Sequence, residues 1–459
     1  MASGRQAVDV AALLDDRRLT PFNYRLIVLS WLITVFDGFD MQMVSFTAPY
    51  MRDEFGLSTM MLGNVFAAGT AGMVIGGFFF SYLGDRIGRR PTIIICAFSF
   101  GILTLATALA QSYAQLVALR LLDGLAIGGM LPLAWALNIE FVPARMRSTI
   151  VTIIMVGYSM GSMSAGPLTN LIAPTHGWAG VYVVGGLGTL VCATGLLFAL
   201  PESVRFLVSR NRRPELVART LKRLDPAVDV RADDTFVLGN EAKASAGGFR
   251  ASDLFRGDLR IITPLLWIGY GVSSLAIYFS SSWGPMVLEA LSIPRTTAAW
   301  VSSLSSLLGA IAGLLLMRFT DRKGPHAVAF YPALAVPVLL LLGLGFVPPS
   351  LFVPFVVMGA LLVGGEHQGI ISITGVFYPS AIRATGAGWA SSIGKIGGVA
   401  GPILGAVVLS SGMPVLRSYA LLAICPAILG LCAFGIAMTV RRRSGEEALA
   451  TPVAVGQTA

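Results

Sequence analysis

Two aspartates three residues apart, Asp37 and Asp40, interrupt an apolar run in the stretch VFDGFDMQ, Val35 to Gln42. On a helix that spacing places both carboxylates on one face, about 60° apart, and Gly38 between them lets a neighbouring backbone come close. Two like charges in a low dielectric cannot both stay ionised cheaply, so at least one is expected to take up a proton. Such a pair can bind a proton and release it again. The plainer alternative is a buried acid that only hydrogen-bonds the next helix.

Other ionisable residues stand in equally apolar surroundings. Lys395 lies in SSIGKIGG, Glu366 and His367 lie in GGEHQG with Gln368 beside them, and Arg120 and Asp123 lie in LRLLDGLAIGG. A cation such as Lys395 can hold an anionic substrate or pair with a buried acid such as Glu366. Glu366 can instead carry a second proton or accept from a substrate hydroxyl. His367 titrates near neutrality, although one histidine on an apolar helix serves structure as readily. Arg120 can approach the acids of the first helix, and Gln368 is a polar contact for a substrate. Phe36, Phe39, Trp135, Tyr278, Trp283 and Trp389 are candidates to stack on a ring, while most aromatic residues in such a chain face lipid or pack helices. Cys96, Cys192, Cys425 and Cys432 lie within apolar runs without metal-ligand spacing, so they read as packing residues and no metal is expected. No His/Cys cluster, nucleophile elbow or phosphate loop appears, which argues against an enzyme.

These residues need membrane helices to hold them. Of 459 residues 55% are hydrophobic and only 12% charged, about half the charged share of a soluble domain. Charge-free runs long enough to span a bilayer recur along the chain, and the longest break at turn-forming segments such as APTHGW, Ala173 to Trp178. They predict twelve spans, near 24–49, 58–82, 91–110, 115–139, 149–172, 179–200, 261–288, 297–317, 327–346, 351–377, 386–411 and 418–440. Counting along these helices puts the Asp37/Asp40 pair, Glu366 and Lys395 near the bilayer midplane, where an ionisable group is costly and usually functional. The net charge of +9 sits in alternate loops rather than in one basic face, so it signals topology and not nucleic acid. By the positive-inside tendency both termini are cytoplasmic. The polar N-terminus predicts no cleaved signal.

The chain also repeats itself. LGDRIGRRP, Leu83 to Pro91, returns as FTDRKGP, Phe319 to Pro325, and FVPARMRST at Phe141 returns as FYPSAIRAT at Phe377. One offset relates both pairs: the step from Asp85 to Asp321 is also the step from Pro143 to Pro379. A single long polar segment divides six spans from six. The expected organisation is a cytoplasmic tail at 1–23, a six-helix bundle at 24–200, a cytoplasmic loop at 201–260, a second bundle at 261–440 and a cytoplasmic tail at 441–459. This duplication resembles the major facilitator superfamily, an all-α membrane fold in which two six-helix halves pack around one central site and rock to give alternating access. In that resemblance GDRIGRR is the loop between helices two and three. Asp85, Arg86 and Arg89, with Asp321 in the second copy and Glu140, Arg147 and Arg383 near the other repeated loops, are expected to gate the cytoplasmic side. A carboxylate there can hold an arginine or a helix dipole. Glu140 can equally form a surface ion pair with Arg145 or Arg147.

DGFD in the first helix, GDRIGRRP, PES..FL at Pro201 to Leu207, and YPSAIRATGAGWASSIGKIGGVAGPILG at Tyr378 to Gly405 together resemble the aromatic acid:proton symporters of that superfamily. The resemblance implies import of a benzoate- or hydroxybenzoate-like acid with protons across a bacterial cytoplasmic membrane, by a cofactor-free monomer. It implies transport roles for Asp37, Asp40 and Arg383. Lys395 stands where those proteins usually have arginine, which keeps the charge but loses the bidentate fork that suits a carboxylate. GGEHQG also departs from the amide-containing pattern of the family. Two alternatives stay open: a facilitator of another small organic anion, a sugar or a nicotinate-like solute, and a membrane solute sensor.

Overall fold

The computed structural model describes residues 7–10, 13, 19–210, 213–224, 230–231, 234–238, 251–323, 328–374, 377–378 and 382–450, apart from the side chains of 7, 144, 251, 321–323, 383–384 and 441–450. In chain order the helices are α1 (Pro21–Phe55), α2 (Thr59–Ile87), α3 (Arg89–Thr107) and α4 (Tyr113–Glu140). The helical stretch Arg147–Ala199 is two helices, α5 (147–176) and α6 (178–199), which meet at Gly177. There φ is 66°, a left-handed value that glycine adopts without penalty, in the APTHGW segment where the turn is expected. Two short helices follow, α7 (Val204–Ser209) and α8 (Pro214–Leu224). Then come α9 (Leu259–Ala290), α10 (Arg295–Lys323), α11 (Phe330–Gly343), α12 (Pro349–Thr374), α13 (Arg383–Ser410), α14 (Arg417–Leu422) and α15 (Ile424–Ala450).

Ten helical stretches among the described residues are long and apolar enough to cross a membrane, counting Arg147–Ala199 once, and α11 is a shorter apolar helix. With Arg147–Ala199 counted as two, the twelve expected spans are present. Several run past their expected ends: α1 continues through Pro49 to Phe55, α2 to Ile87, α10 to Lys323 and α15 to Ala450. Phe78, Phe79, Ile102, Leu171, Val191 and Phe198 are exposed on outer faces, as a lipid-facing surface requires.

The contacts divide the chain into two compact units, Met1–Gly248 with Ser281–Leu307, and Phe249–Ser280 with Leu308–Ala459. In the first, α1 lies along α5 and α2 along α4. Lipid removes most of the hydrophobic drive for helix association, so close backbone approach through small residues takes its place. A Cβ on Gly38 would sit 2.0 Å from the Tyr158 carbonyl oxygen, and one on Gly161 would sit 1.9 Å from that of Val35. In the second unit α13 meets α9 in the same way: a Cβ on Gly397 would lie 2.0 Å from the Gly271 carbonyl oxygen. Gly161 and Gly397 are separated by the same offset as Asp85 and Asp321, and so are Val35 and Gly271. The repeat read from the loops therefore extends to the helix contacts themselves.

Described parts of the N-terminal tail and of the central segment take up regular structure. Strand β1 (Ala7–Asp9) pairs in parallel with β2 (Thr235–Val237), with Val8 opposite Phe236. Val10, Val217, Leu221, Leu224 and Val230 join one buried apolar cluster with Leu200, Val204 and Leu207. Helix α8 explains this: its apolar residues recur at helical spacing while Arg219, Lys222 and Arg223 stay outside. The outer part of α9 and the start of α10 also belong to the first unit. Gln42 Nε2 donates to the Ser281 carbonyl at 3.1 Å, and the Phe66 and Trp283 rings meet edge to face at 5.1 Å.

Gly161→Ala and Gly397→Ala should each destabilise the purified protein by at least about 1–3 kcal/mol, because the added methyl meets backbone that has little room to shift. Gly195→Ala, where the nearest foreign atom is a Leu29 methyl at 3.5 Å, should leave the thermal midpoint near that of the parent.

Candidate functional site

The buried charges of the first unit converge between α1 and α4. Arg120 Nη1 donates to Asp40 Oδ2 at 2.8 Å and to Asp123 Oδ2 at 2.7 Å. All three side chains are at most 2% exposed. Arg120 and Asp123 are one turn apart on α4, which lets one guanidinium nitrogen serve both acids. From α3, Thr104 Oγ1 donates to Asp123 Oδ1 at 3.3 Å and reaches Asp40 Oδ1 at 3.5 Å. Gly69 on α2 leaves room for the guanidinium: a Cβ there would stand 3.3 Å from Nη2. Asp37, one turn before Asp40, is fully buried, and neither of its carboxylate oxygens has a hydrogen-bond partner among the described residues. The backbone beneath it is held firmly, since Ser162 Oγ donates to the Gly38 carbonyl at 3.1 Å.

In the second unit, His367 Nδ1 lies 3.1 Å from Ser273 Oγ, and its ring meets Tyr270 edge to face at 5.9 Å. Ser273 is the repeat counterpart of Asp37, so the position that carries an acid in the first repeat carries a hydroxyl bonded to histidine in the second. Glu366 is fully buried, and both its carboxylate oxygens are without a hydrogen-bond partner among the described residues. The alternative role of Lys395, pairing with Glu366, is therefore not met by a hydrogen bond among the described residues. Lys395 is half-buried on α13, between Gly394, which faces Tyr270, and Gly397 at the contact with α9. Gln368 packs against Gly313 of α10.

The proposed ring contacts fall in several places. Phe39 is buried against Gly185 of α6, and Phe36 lies against Gly188. Trp135 joins a cluster with Ile27, Val142 and Ile150, and Tyr278 is partly buried against Gly401. Trp389, 45% exposed, stacks on Trp267 with ring centroids 5.8 Å apart. Thus the first unit's aromatic candidates fill helix contacts, while Trp389 pairs with another indole.

On the cytoplasmic-motif side, the carboxylate at the start of α3 belongs to Glu202 rather than to Asp85. Glu202 Oε1 accepts from the backbone N–H groups of Arg89 at 3.0 Å and Arg90 at 3.1 Å, complementing the helix dipole. Gly88 is needed beside it, with φ of 109° and no space for a Cβ, which would come 2.5 Å from Glu202 Oε2. Arg89 pairs with Glu140, which also accepts from Ser203 Oγ at 2.6 Å; the alternative ion pair of Glu140 with Arg145 or Arg147 is not the one seen here. Arg90 donates to the carbonyls of Leu200 and Leu197, both at 2.8 Å. Arg147 Nε donates to the Ile139 carbonyl at 3.1 Å. Asp85 is exposed and its carbonyl accepts from Arg210 at 3.1 Å, while Arg86 lies over the Tyr82 ring. The PES motif is thus the counterpart of the GRR motif, a link that the long separation of Arg89 and Glu202 along the chain hides. The side chains of Asp321 and Arg383 lie outside the described residues.

A Major Facilitator Superfamily model matches residues 30–245 and 266–455, and the chain belongs to that superfamily. It is a multi-pass membrane transporter and not an enzyme. The chain is 33% identical over 448 residues to a gallate transporter of Pseudomonas putida, covering 97% of both proteins. It is 32% identical over 408 residues to the 4-hydroxybenzoate transporter PcaK of Pseudomonas aeruginosa, covering 89% of this chain and 91% of that protein. In three dimensions it is similar to the xylose transporter XylE of E. coli, with a TM-score of 0.68, 17% identity and coverage of 96% of this chain and all of the other.

Glu202→Ala removes the acceptor for the backbone N–H groups of Arg89, Arg90 and Ser203 and should cost about 1 kcal/mol, the usual effect of losing a helix cap. Gly88→Ala should cost more, because it adds strain at a positive φ to a clash with the same carboxylate. Thermal midpoints of the purified variants measure both, and two parent-like values would contradict this assignment.

Proposed function

We propose that this transporter imports a benzoate- or hydroxybenzoate-like aromatic carboxylate together with protons, by alternating access, across a bacterial cytoplasmic membrane. The observation that carries the reading is the acid cluster on α1 and α4: Asp40 and Asp123 share one guanidinium beside a third buried carboxylate, Asp37, inside helices that face lipid elsewhere. An isolated buried charge is too costly to keep for packing alone, and a carboxylate that binds and releases a proton provides the function. The names of the relatives, gallate and 4-hydroxybenzoate transporters, support the substrate class.

In this reading the two repeats are bundles at 24–200 and 261–440, joined by the cytoplasmic segment 201–260, with both termini in the cytoplasm, and the monomer is the working unit. A proton neutralises the acid cluster and the substrate carboxylate docks at Lys395. His367 and Gln368 offer polar contacts, and Tyr278 and Trp389 offer ring faces. Lysine makes a point contact to a carboxylate where a guanidinium would grip both oxygens. Arg89, Glu140, Glu202 and Arg147 tie together the cytoplasmic ends of α3, α4, α5 and α6, with Asp85, Arg86, Asp321 and Arg383 completing the gate. Glu366 is a second acid available for a proton.

Purified protein in proteoliposomes should accumulate radiolabelled 4-hydroxybenzoate when the lumen is made alkaline, and a protonophore should collapse that accumulation. Unlabelled gallate and benzoate should compete, whereas xylose should not. Lys395→Gln should raise the half-saturation concentration about 10- to 100-fold, the value of one lost charge-assisted hydrogen bond. Accumulation that ignores the pH gradient, or an unchanged half-saturation in the variant, would contradict the reading.

A further inference from the structure

The two acids of α1 stand in unlike environments, although they are only one turn apart. Asp40 is satisfied by Arg120 and approached by Thr104. Asp123 completes that arrangement from the other side of the same guanidinium nitrogen. Asp37 has full burial and no donor at either oxygen among the described residues. Ionising it there would place a bare carboxylate in an apolar interior, a state that folded proteins avoid by protonation. The charge count agrees. With Asp40 and Asp123 ionised and Arg120 cationic, the triad already carries one net negative charge, which opposes a second on Asp37. Tyr182 of α6, buried within electrostatic reach of Arg120 and Asp40, is a further titratable group facing the triad. It supplies no positive charge.

The backbone makes this difference consequential. Ser162 donates to the Gly38 carbonyl, and α5 presses on α1 at Gly38 and Gly161. Asp37 therefore sits on a helix turn whose local shift is opposed by backbone contact. It can ionise only when the surrounding helices rearrange to give it water or a cation. In the second repeat the equivalent position is Ser273, so the duplication supplies no second acid there.

We infer that Asp37 is the group that binds and releases the transported proton, while Asp40 is a positioning residue that, with Asp123, fixes Arg120 and sets the charge that Asp37 senses. This rests on the symport reading above. It assigns the proton to one of two carboxylates and gives Asp123 a role as counter-charge.

The test uses the full chain in proteoliposomes with radiolabelled 4-hydroxybenzoate. Two rates are compared in each variant, exchange at equal pH and accumulation driven by an alkaline lumen. Asp37→Asn should keep exchange, lose its dependence on pH, and lose accumulation. Asp40→Asn should lower both rates together while exchange stays pH-dependent. The reverse pattern, an uncoupled Asp40→Asn and a still-accumulating Asp37→Asn, would overturn the assignment. Failure of the unmutated protein to accumulate would sink the symport reading instead. Infrared difference spectroscopy judges Asp37 apart from transport. Measured with Glu366→Gln in every sample, which removes the other unpartnered buried acid, a carboxylic-acid carbonyl band of the weakly hydrogen-bonded type should titrate with Asp37 present, including in Asp40→Asn, and should be missing from Asp37→Asn. The same band persisting unaltered in Asp37→Asn overturns the assignment, even if both variants are inactive.

Discussion

A carboxylate costs far more in an apolar interior than at a surface, and α1 carries two of them within one turn. The first unit is arranged around that cost. Arg120 offsets Asp40 and Asp123 with one nitrogen, Thr104 adds a hydroxyl to both, and Gly69 leaves the space that the guanidinium occupies. A buried ion pair of this kind is weak evidence for stability, because desolvation can exceed the attraction gained. In the proposed reading, its persistence inside a membrane helix follows from what the cluster does when its protonation changes.

The rigid contacts around the cluster convert a local charge into a property of whole helices. Where α1 meets α5, backbone touches backbone through Gly38 and Gly161, and α13 meets α9 through Gly397 at the same repeat position. Backbone contact of this kind leaves little room for one helix to bend against the other. At the other end of the first unit, Glu202 and Glu140 bind the start of α3 to the ends of α4 and α6. Charge at one place and a clasp at another, joined by stiff helices, are the physical parts that a rocking transporter requires.

Much of this was legible in the residues. Twelve spans followed from charge-free length, and the offset of the repeated loops carried through to Gly161 and Gly397 in contact with equivalent partners. Asp37, Asp40 and Arg120 stood out because ionisable groups are rare in such runs. What stayed hidden depended on distance along the chain. Glu202 appeared only as part of a family motif, since its partners at Arg89 and Arg90 lie far earlier in the sequence. Ser273 carried no signal of its own, being one serine among many, although stepping from Asp37 by the offset of the loops reaches it. The β1–β2 pairing was concealed by the shortness of both segments, because three residues each leave too little periodicity to read.

If substrate and proton cross together, their movement must appear as a change in proton concentration on both sides of the membrane. The most direct measurement is therefore made without any imposed gradient, in weakly buffered proteoliposomes given a pulse of 4-hydroxybenzoate outside. Coupled entry predicts that the outer medium becomes alkaline at the rate at which labelled substrate enters. Entry of labelled substrate with no protein-dependent alkalinisation would contradict the account.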